Sequence, residues 1–207
     1  MLTLPQAYHS GFSHGFNVAE ATNWALADWL PFGARAVERY RRAALEARPL
    51  VFSHEALVMA LARNSAAARV AGGSCTTTCC ADDDDGAVVT RALCALLGAE
   101  QREREALASD GVIAWVRLPP QGRADDRLEC VKCHHVCYFS AVVCPCASAL
   151  RKVACLRHAA QLCVCPPSSK VCVYWHDIHE LQALAAALGA PVVPPVTAGP
   201  AMLTSDT

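Results

Sequence analysis

The chain has 207 residues, of which 54% are hydrophobic and 18% charged, with a formal net charge of −1. That apolar content is enough for one or two small domains with a real core, and the charge balance argues against bulk attraction to nucleic acid or membrane, leaving only a local basic face. No basic stretch followed by an apolar one occurs in residues 1–11, and no apolar run is long enough to span a bilayer, so an intracellular protein with no membrane partner is expected.

Residues 1–30 are aromatic-rich, with Gly11 and Gly15 between apolar positions, the pattern of two short strands joined by tight turns. From Ala34 to Arg48 the spacing becomes helical: Val37, Tyr40 and Ala44 share one face, and Arg35, Arg39, Arg41 and Arg42 read as a solvated one. Ser53 is placed to cap a second helix with Glu55 in its first turn and Leu57, Ala60 and Leu61 on the buried side. Residues 71–86 carry Gly72-Gly73-Ser74-Cys75, three threonines, Cys79-Cys80 and Asp82 to Asp85, and read as a disordered surface insertion. No calcium loop fits them, because neither the turn glycine nor the closing glutamate is in register after Asp82. Helical spacing resumes from Arg91 to Leu107, and Val112–Leu118 is a short apolar segment stopped by Pro119-Pro120. Beyond a cysteine-rich stretch, Val171–Trp175 reads as a strand, Asp177 and Glu180 as a capping box opening a helix with Leu181, Leu184 and Leu188, and Gly189 and Pro191 as its end. The division expected is therefore 1–31, a helical region 32–118, a metal module 126–175, a helix 176–190 and a flexible tail 191–207, in an α+β fold.

The cysteine-rich stretch spells Cys130-x-x-Cys133, Cys144-x-Cys146, Cys155-x-x-His158 and Cys163-x-Cys165, four soft-ligand pairs and so the full complement for two tetrahedral zinc ions. Cys130-Val131-Lys132-Cys133-His134 is also the spelling of a covalent haem site, but haem leaves the other ligand-type residues without a role. A disulfide framework needs an oxidising compartment, whereas thirteen cysteines in a reducing one persist as metal thiolates or buried thiols. Spacing leaves two pairings open: sequential, with the first two pairs on one ion, or crossed, with the first and third together. Sites closed by four protein ligands are structural. Cys137 is left over as a buried thiol beside Tyr138 and Phe139, His134 and His135 are spare ligands, and Cys94 and Cys172 read as ordinary buried cysteines. Lys132, Arg151, Lys152 and Arg157 form a modest basic cluster, read as solvated, and direct DNA contact has thin support.

The string Tyr8-His9-Ser10-Gly11-Phe12-Ser13-His14-Gly15-Phe16-Asn17-Val18-Ala19-Glu20-Ala21-Thr22-Asn23-Trp24 resembles the last catalytic strands of the JmjC (jumonji) histone lysine demethylases. Asp28-Trp29-Leu30-Pro31, Val37-Glu38-Arg39-Tyr40-Arg41 and Phe52-Ser53-His54-Glu55 resemble the jumonji/ARID-type branch, which carries a five-Cys, one-His, two-Cys zinc finger downstream. The resemblance covers about residues 3–70 and 126–190. It implies the last strands of a double-stranded β-helix barrel followed by a helical region and a two-zinc finger. It implies crossed pairing, with Cys130, Cys133, Cys155 and His158 on one zinc and Cys144, Cys146, Cys163 and Cys165 on the other. It also places His9 as an iron ligand, Ser13 near the 2-oxoglutarate co-substrate, Thr22 and Asn23 in the pocket for the methylated ammonium, and Glu20 as a brace.

Two departures accompany it. Ser13 stands where the branch commonly has asparagine. None of the eight histidines is followed two residues later by a carboxylate, so the His-x-Glu or His-x-Asp pair completing the facial triad is missing, as are the co-substrate lysine and most of the barrel. The expectation is the C-terminal part of a demethylase, from a truncated gene model, an alternative start or a degenerate copy, inactive alone. In the complete enzyme, Fe(II) and 2-oxoglutarate would hydroxylate an N-methyl group that leaves as formaldehyde, with methylated lysine four of the histone H3 tail as substrate and the nucleus as location. Implied partners are chromatin and the remainder of the barrel. The rival expectation is a standalone zinc module that binds chromatin or a partner protein.

Overall fold

A computed structural model describes residues 3–42, 51–70, 83–119 and 128–191. Its first regular element is a 3-10 turn, Ala27–Trp29, running into helix α1, Leu30–Arg42. Pro31 is tolerated there because the first helical turn has no use for its missing N–H. Gly33 is buried on α1, and a Cβ at that position would lie 2.4 Å from the Trp29 ring and 2.5 Å from His54 Cδ2. The absent side chain is what lets α1 approach the second helix. His54 Nε2 closes that contact by donating to the Leu30 carbonyl at 3.0 Å.

Helix α2, His54–Val70, starts at the expected cap, where the Ser53 hydroxyl accepts from the Ala56 N–H at 3.2 Å. The buried faces of both helices differ from the expected ones. On α2 the buried residues are His54, Glu55, Val58, Met59 and Ala62, while Leu57 and Leu61 are half-buried and Ala60 is exposed. On α1, Leu30 and Gly33 are buried, Val37 is half-buried and Tyr40 is exposed, and Arg41 turns inward instead of lying on the solvated face. A buried acid, Glu55, draws it there. Expected positions 43–48 of α1 lie outside the described residues.

Helix α3, Asp83–Ser109, is longer than expected: residues 83–86 of the presumed insertion form its first turn, and residues 71–82 lie outside the described part. Asp85, in its first turn, suits a helix N-terminus. Three short strands follow: β1 (Ala114–Arg117), β2 (Ser140–Val143) and β3 (Val171–Tyr174). The central β3 pairs in parallel with β1, Ala114 opposite Val171, and antiparallel with β2, Ser140 opposite Tyr174. Helix α4, Ile178–Ala187, opens on the capping box read from the sequence, Asp177 accepting from the His179 N–H at 2.8 Å and Glu180 from the Asp177 N–H at 3.2 Å. Gly189, at φ +81°, ends it.

The two strands expected before residue 30 do not form. Residues 3–26 are extended or bent, pair with no other described strand, and leave Phe12 83% and Trp24 75% exposed. A strand exists only where a neighbour completes its hydrogen bonds, and alternation alone supplies none.

Two cores result. Ala27, Leu30, Val58, Met59, Val89, Leu93, Leu181 and Leu188 fill the space between the helices, joined by Phe139 from the loop before β2. Leu107, Val112, Ala141, Val142, Cys172 and Trp175 surround the cysteine-rich module. Helix α3 contributes Leu93 to one core and Leu107 to the other.

Candidate metal centres

Two four-residue groups have donor atoms all within 4.8 Å of one another: Cys130, Cys133, Cys155 and His158, and Cys144, Cys146, Cys163 and Cys165. The arrangement is crossed, and the backbone shows why. Val131 N–H donates to the Val153 carbonyl at 2.9 Å, and Val142 and Ala154 exchange hydrogen bonds at 2.8 and 3.0 Å. Residues 153–154 are thereby held against both the first knuckle and β2, which delivers Cys155 to Cys130 and Cys133 and keeps it from Cys144.

In the first group, Cys130 and Cys133 flank a tight knuckle: the His134 N–H reaches the Cys130 carbonyl at 2.8 Å, and the Lys132 N–H points at Cys130 Sγ at 3.4 Å. His134 closes the turn in the left-handed region, φ +53°. Cys155 precedes a 3-10 segment, Leu156–Gln161, that is kinked at His158, and the His158 N–H donates to the Cys155 carbonyl at 2.9 Å, a tight turn that brings the two donors together. His158 Nδ1 lies 3.3 Å from Cys155 Sγ and 3.6 Å from Cys130 Sγ, and the Cys133 and Cys155 sulfurs are 3.9 Å apart. A tetrahedron with zinc–sulfur bonds of roughly 2.3 Å has sulfur–sulfur edges of roughly 3.8 Å, so the group fits zinc.

The second group is built from chain ends. Cys144 directly follows β2, Cys146 caps the 3-10 turn Ala147–Ala149, and Cys163 and Cys165 precede the turn Pro167–Ser169. Its cysteines are buried only at Cys144, whereas the first group buries all three of its thiols.

Without a cation, such close thiols compete for one charge. Hydrogen bonds from Cys133 and then Cys155 hold Cys130 far below the ordinary thiol range, and the same contacts push Cys133 and Cys155 up. In the second group the Ser148 hydroxyl, 3.3 Å from Cys146 Sγ, lowers that thiol to about 6, while Cys165 is pushed up to about 12, first by Cys146. A divalent cation resolves the competition by accepting every donor as thiolate or neutral imidazole. Lys170 is buried and donates from Nζ to the Ala159 carbonyl, one residue from His158, at 2.8 Å, and its neighbour Ser169 offers a carbonyl to Cys144 Sγ at 3.6 Å. Its charge opposes the net negative charge that seven thiolates and two zinc ions would leave.

In chain order the eight donors read five cysteines, one histidine and two cysteines, and residues 130–184 match the C5HC2 zinc finger family. Over 188 residues, 91% of this chain, the sequence is 34% identical to lysine-specific demethylase 5B of Gallus gallus. It is 38% identical over 196 residues to lysine-specific demethylase JMJ703 of Oryza sativa subsp. japonica, again 91% of this chain, and 34% identical over 185 residues, 89% of it, to lysine-specific demethylase 5D of Homo sapiens. The chain carries the C5HC2 zinc finger and resembles a segment of the JmjC lysine demethylases. It spans only 11%, 15% and 11% of those three proteins.

The other candidate residues are not gathered into a site. His9, Ser13, Glu20, Thr22 and Asn23 are all exposed on the extended N-terminal stretch, and among the described residues no metal-ligating group includes His9. One exposed imidazole does not fit Fe(II), whose site needs a second imidazole and a carboxylate converging on it. Cys137 is buried outside both groups, and desolvation pushes its thiol well up. Cys172 is buried as well, whereas Cys94 is only half-buried. His134 is exposed. His135 is committed elsewhere, its Nε2 3.0 Å from Glu55 Oε1.

That Glu55–His135 contact was not legible in the sequence, where His135 reads as a spare ligand. Glu55 is also bonded by the Ser53 hydroxyl at 2.9 Å and approached by Arg41 at 3.9 Å. Burial would raise its carboxyl, but the His135 hydrogen bond and charge, with backbone and Ser53 donors, bring it down to about 2. Arg157, next to ligand His158, is likewise paired with Glu38 of α1 and Glu103 of α3 instead of standing free in a basic cluster. The remaining three, Lys132, Arg151 and Lys152, are exposed as expected.

Proposed function

We propose that these residues are the end of the JmjC catalytic barrel, the helical region and the two-zinc finger of a histone lysine demethylase, and that the finger supports the enzyme without reacting. The observation that carries this is the pair of closed four-donor groups packed onto the helices through Leu107 of α3 and Phe139. Four protein donors leave no position for water or substrate, so each zinc would be structural. The first zinc would be held by Cys130, Cys133, Cys155 and His158, and the second by Cys144, Cys146, Cys163 and Cys165.

On this reading the exposed apolar stretch, with Tyr8, Phe12, Phe16 and Trp24, would complete a sheet with the remainder of the barrel and carry His9 to the iron. Fe(II) and 2-oxoglutarate belong to that complete enzyme, as does the substrate, a methylated lysine of the histone H3 tail in the nucleus. By itself the chain should not demethylate. Among the described residues no helix is long and apolar enough to cross a membrane.

The test is reconstitution. The purified 207-residue chain should contain two zinc ions and no stoichiometric iron, and should not turn over 2-oxoglutarate. Co-expression with a barrel segment of a relative bearing the His-x-Glu pair should yield an iron-loaded complex that demethylates an H3 peptide, and His9→Ala should abolish the iron. Failure of the barrel segment to bind, with the zinc-loaded chain instead retaining chromatin or another partner alone, would favour the interaction-module reading.

A further inference from the structure

The two metal groups are not equally sheltered. In the first, Cys130, Cys133 and Cys155 are at most 5% exposed and an imidazole fills the fourth position. In the second all four donors are sulfur, and Cys146, Cys163 and Cys165 are only half-buried. The residues that flank those three, Pro145, Ala147, Val164 and Pro166, are exposed, Val164 fully. The Ser148 hydroxyl, 3.3 Å from Cys146 Sγ, also sits at the surface. A small oxidant therefore meets Cys146 beside a group that can hydrogen-bond a departing oxygen, whereas the sulfurs of the first group are covered.

Zinc holds its cysteines as thiolates, and oxidation selects the thiolates that solvent reaches. We propose that the second group is a reversible modification site for hydrogen peroxide: Cys146 is oxidised, a sulfur of the Cys163-x-Cys165 pair closes a disulfide with it, and one zinc is released while the other stays. The proposal rests on reading that group as a zinc site. In the first step the Cys146 sulfur attacks a peroxide oxygen, the O–O bond breaks, hydroxide leaves and a sulfenic acid forms. In the second, the Cys163 or Cys165 thiolate attacks the sulfenic sulfur, the S–O bond breaks and a second hydroxide leaves. Two electrons pass from two thiolates to one peroxide, and the two donors that remain are too few to hold the ion. Two equivalents of a thiol such as glutathione, leaving as their own disulfide, return both sulfurs by exchange. The four sulfurs are already within 4.8 Å of one another, on irregular segments outside the strands, so a bond of roughly 2.05 Å needs only loop movement. Joining the two segments closes a loop of roughly 20 residues, whereas a bridge between Cys163 and Cys165 would have to fit disulfide torsions into one turn. The change stays local, because Val143 opposite Val171 holds β2 to β3, and the bonds of Val131 and Val142 to residues 153–154 hold the first group.

Zinc content of the purified 207-residue chain is measured first. Fewer than two ions before any oxidant would sink the zinc reading and the proposal with it, whereas two ions leave the proposal to be judged alone. Hydrogen peroxide is then titrated with a chromogenic zinc indicator, followed by alkylation of free thiols and mass spectrometry of the peptides. One of the two ions should be released, with Cys146 in a disulfide to Cys163 or Cys165, with Cys130, Cys133 and Cys155 recovered as free thiols, and with the helical circular dichroism kept. Dithiothreitol and zinc should restore the lost ion. Cys146→His, which keeps a zinc donor and removes the reacting sulfur, should bind two ions and release the second several-fold more slowly. Release of both ions together, release of neither under excess peroxide, a disulfide lacking Cys146, a sulfinic acid that thiol does not reverse, or unchanged release from fully loaded Cys146→His would overturn the proposal. Mapping in the parent chain decides the matter even where the histidine variant fails to bind.

Discussion

Gly33 and Glu55 show how much a single position decides at the join between α1 and α2. Gly33→Ala would put a methyl group within 3 Å of the half-buried Trp29 ring and of the His54 ring, which is buried and bonded to the Leu30 carbonyl. Overpacking of that kind costs about 1–3 kcal/mol, so the variant should melt several degrees lower with its zinc content intact. Glu55 is ionised in the fold, its carboxyl near 2 against 4.5 for the free group. A lowered acid contributes stability above its unfolded value and loses it as pH falls through the folded one, here between about 4.5 and 2. At neutral pH the contribution is therefore complete, roughly 3 kcal/mol for that shift. Glu55→Gln keeps the shape and removes the charge, and urea unfolding at pH 7 in zinc buffer should show a loss of that order. A change within error would mean that His135 and Arg41 are solvated well enough to do without it.

The elements differ in how far local sequence defines them. Cys130 to Cys165 was legible because ligand spacing is local chemistry: a knuckle or a 3-10 turn presents two donors whatever lies around it. The choice between crossed and sequential pairing was not legible from spacing, since it depends on residues 153–154 pairing with Val131 and Val142, a contact between distant segments. Asp177 and Glu180 defined the start of α4 for the same local reason. The faces of α1 and α2 were misjudged because apolar periodicity cannot foresee a buried Arg41–Glu55–His135 cluster, and the first thirty residues alternate like strands that find no described partner. Burial also ranks the two metal groups. Three thiols are buried in the first, whereas the second has one. Chelator reaches an ion through its exposed ligands, so excess EDTA should strip one zinc quickly with little change in circular dichroism and the other slowly, with loss of the helical signal. Release of both at a single rate would show that exposure does not control access.

At the scale of the molecule, α3 is the common member. Its 27 residues extend for roughly 40 Å, with Leu93 fully buried among the helices and Leu107 among the cysteines. Phe139 crosses the other way, from the metal module into the helical core, and Arg157 ties the turn that carries His158 to α1 and α3 through Glu38 and Glu103. With apolar and ionic links running in both directions, the helices and the finger should unfold as one unit, with zinc binding free energy shared by both. Leu93→Ala isolates the point, because it opens a cavity in the helical core, costs about 2–5 kcal/mol, and touches no metal ligand. Calorimetry should show one transition at lower temperature, and the slow zinc should leave several-fold faster under chelation than from the parent chain. Two separate transitions with an unchanged slow release would establish instead that the finger stands on its own core and that α3 merely passes through both.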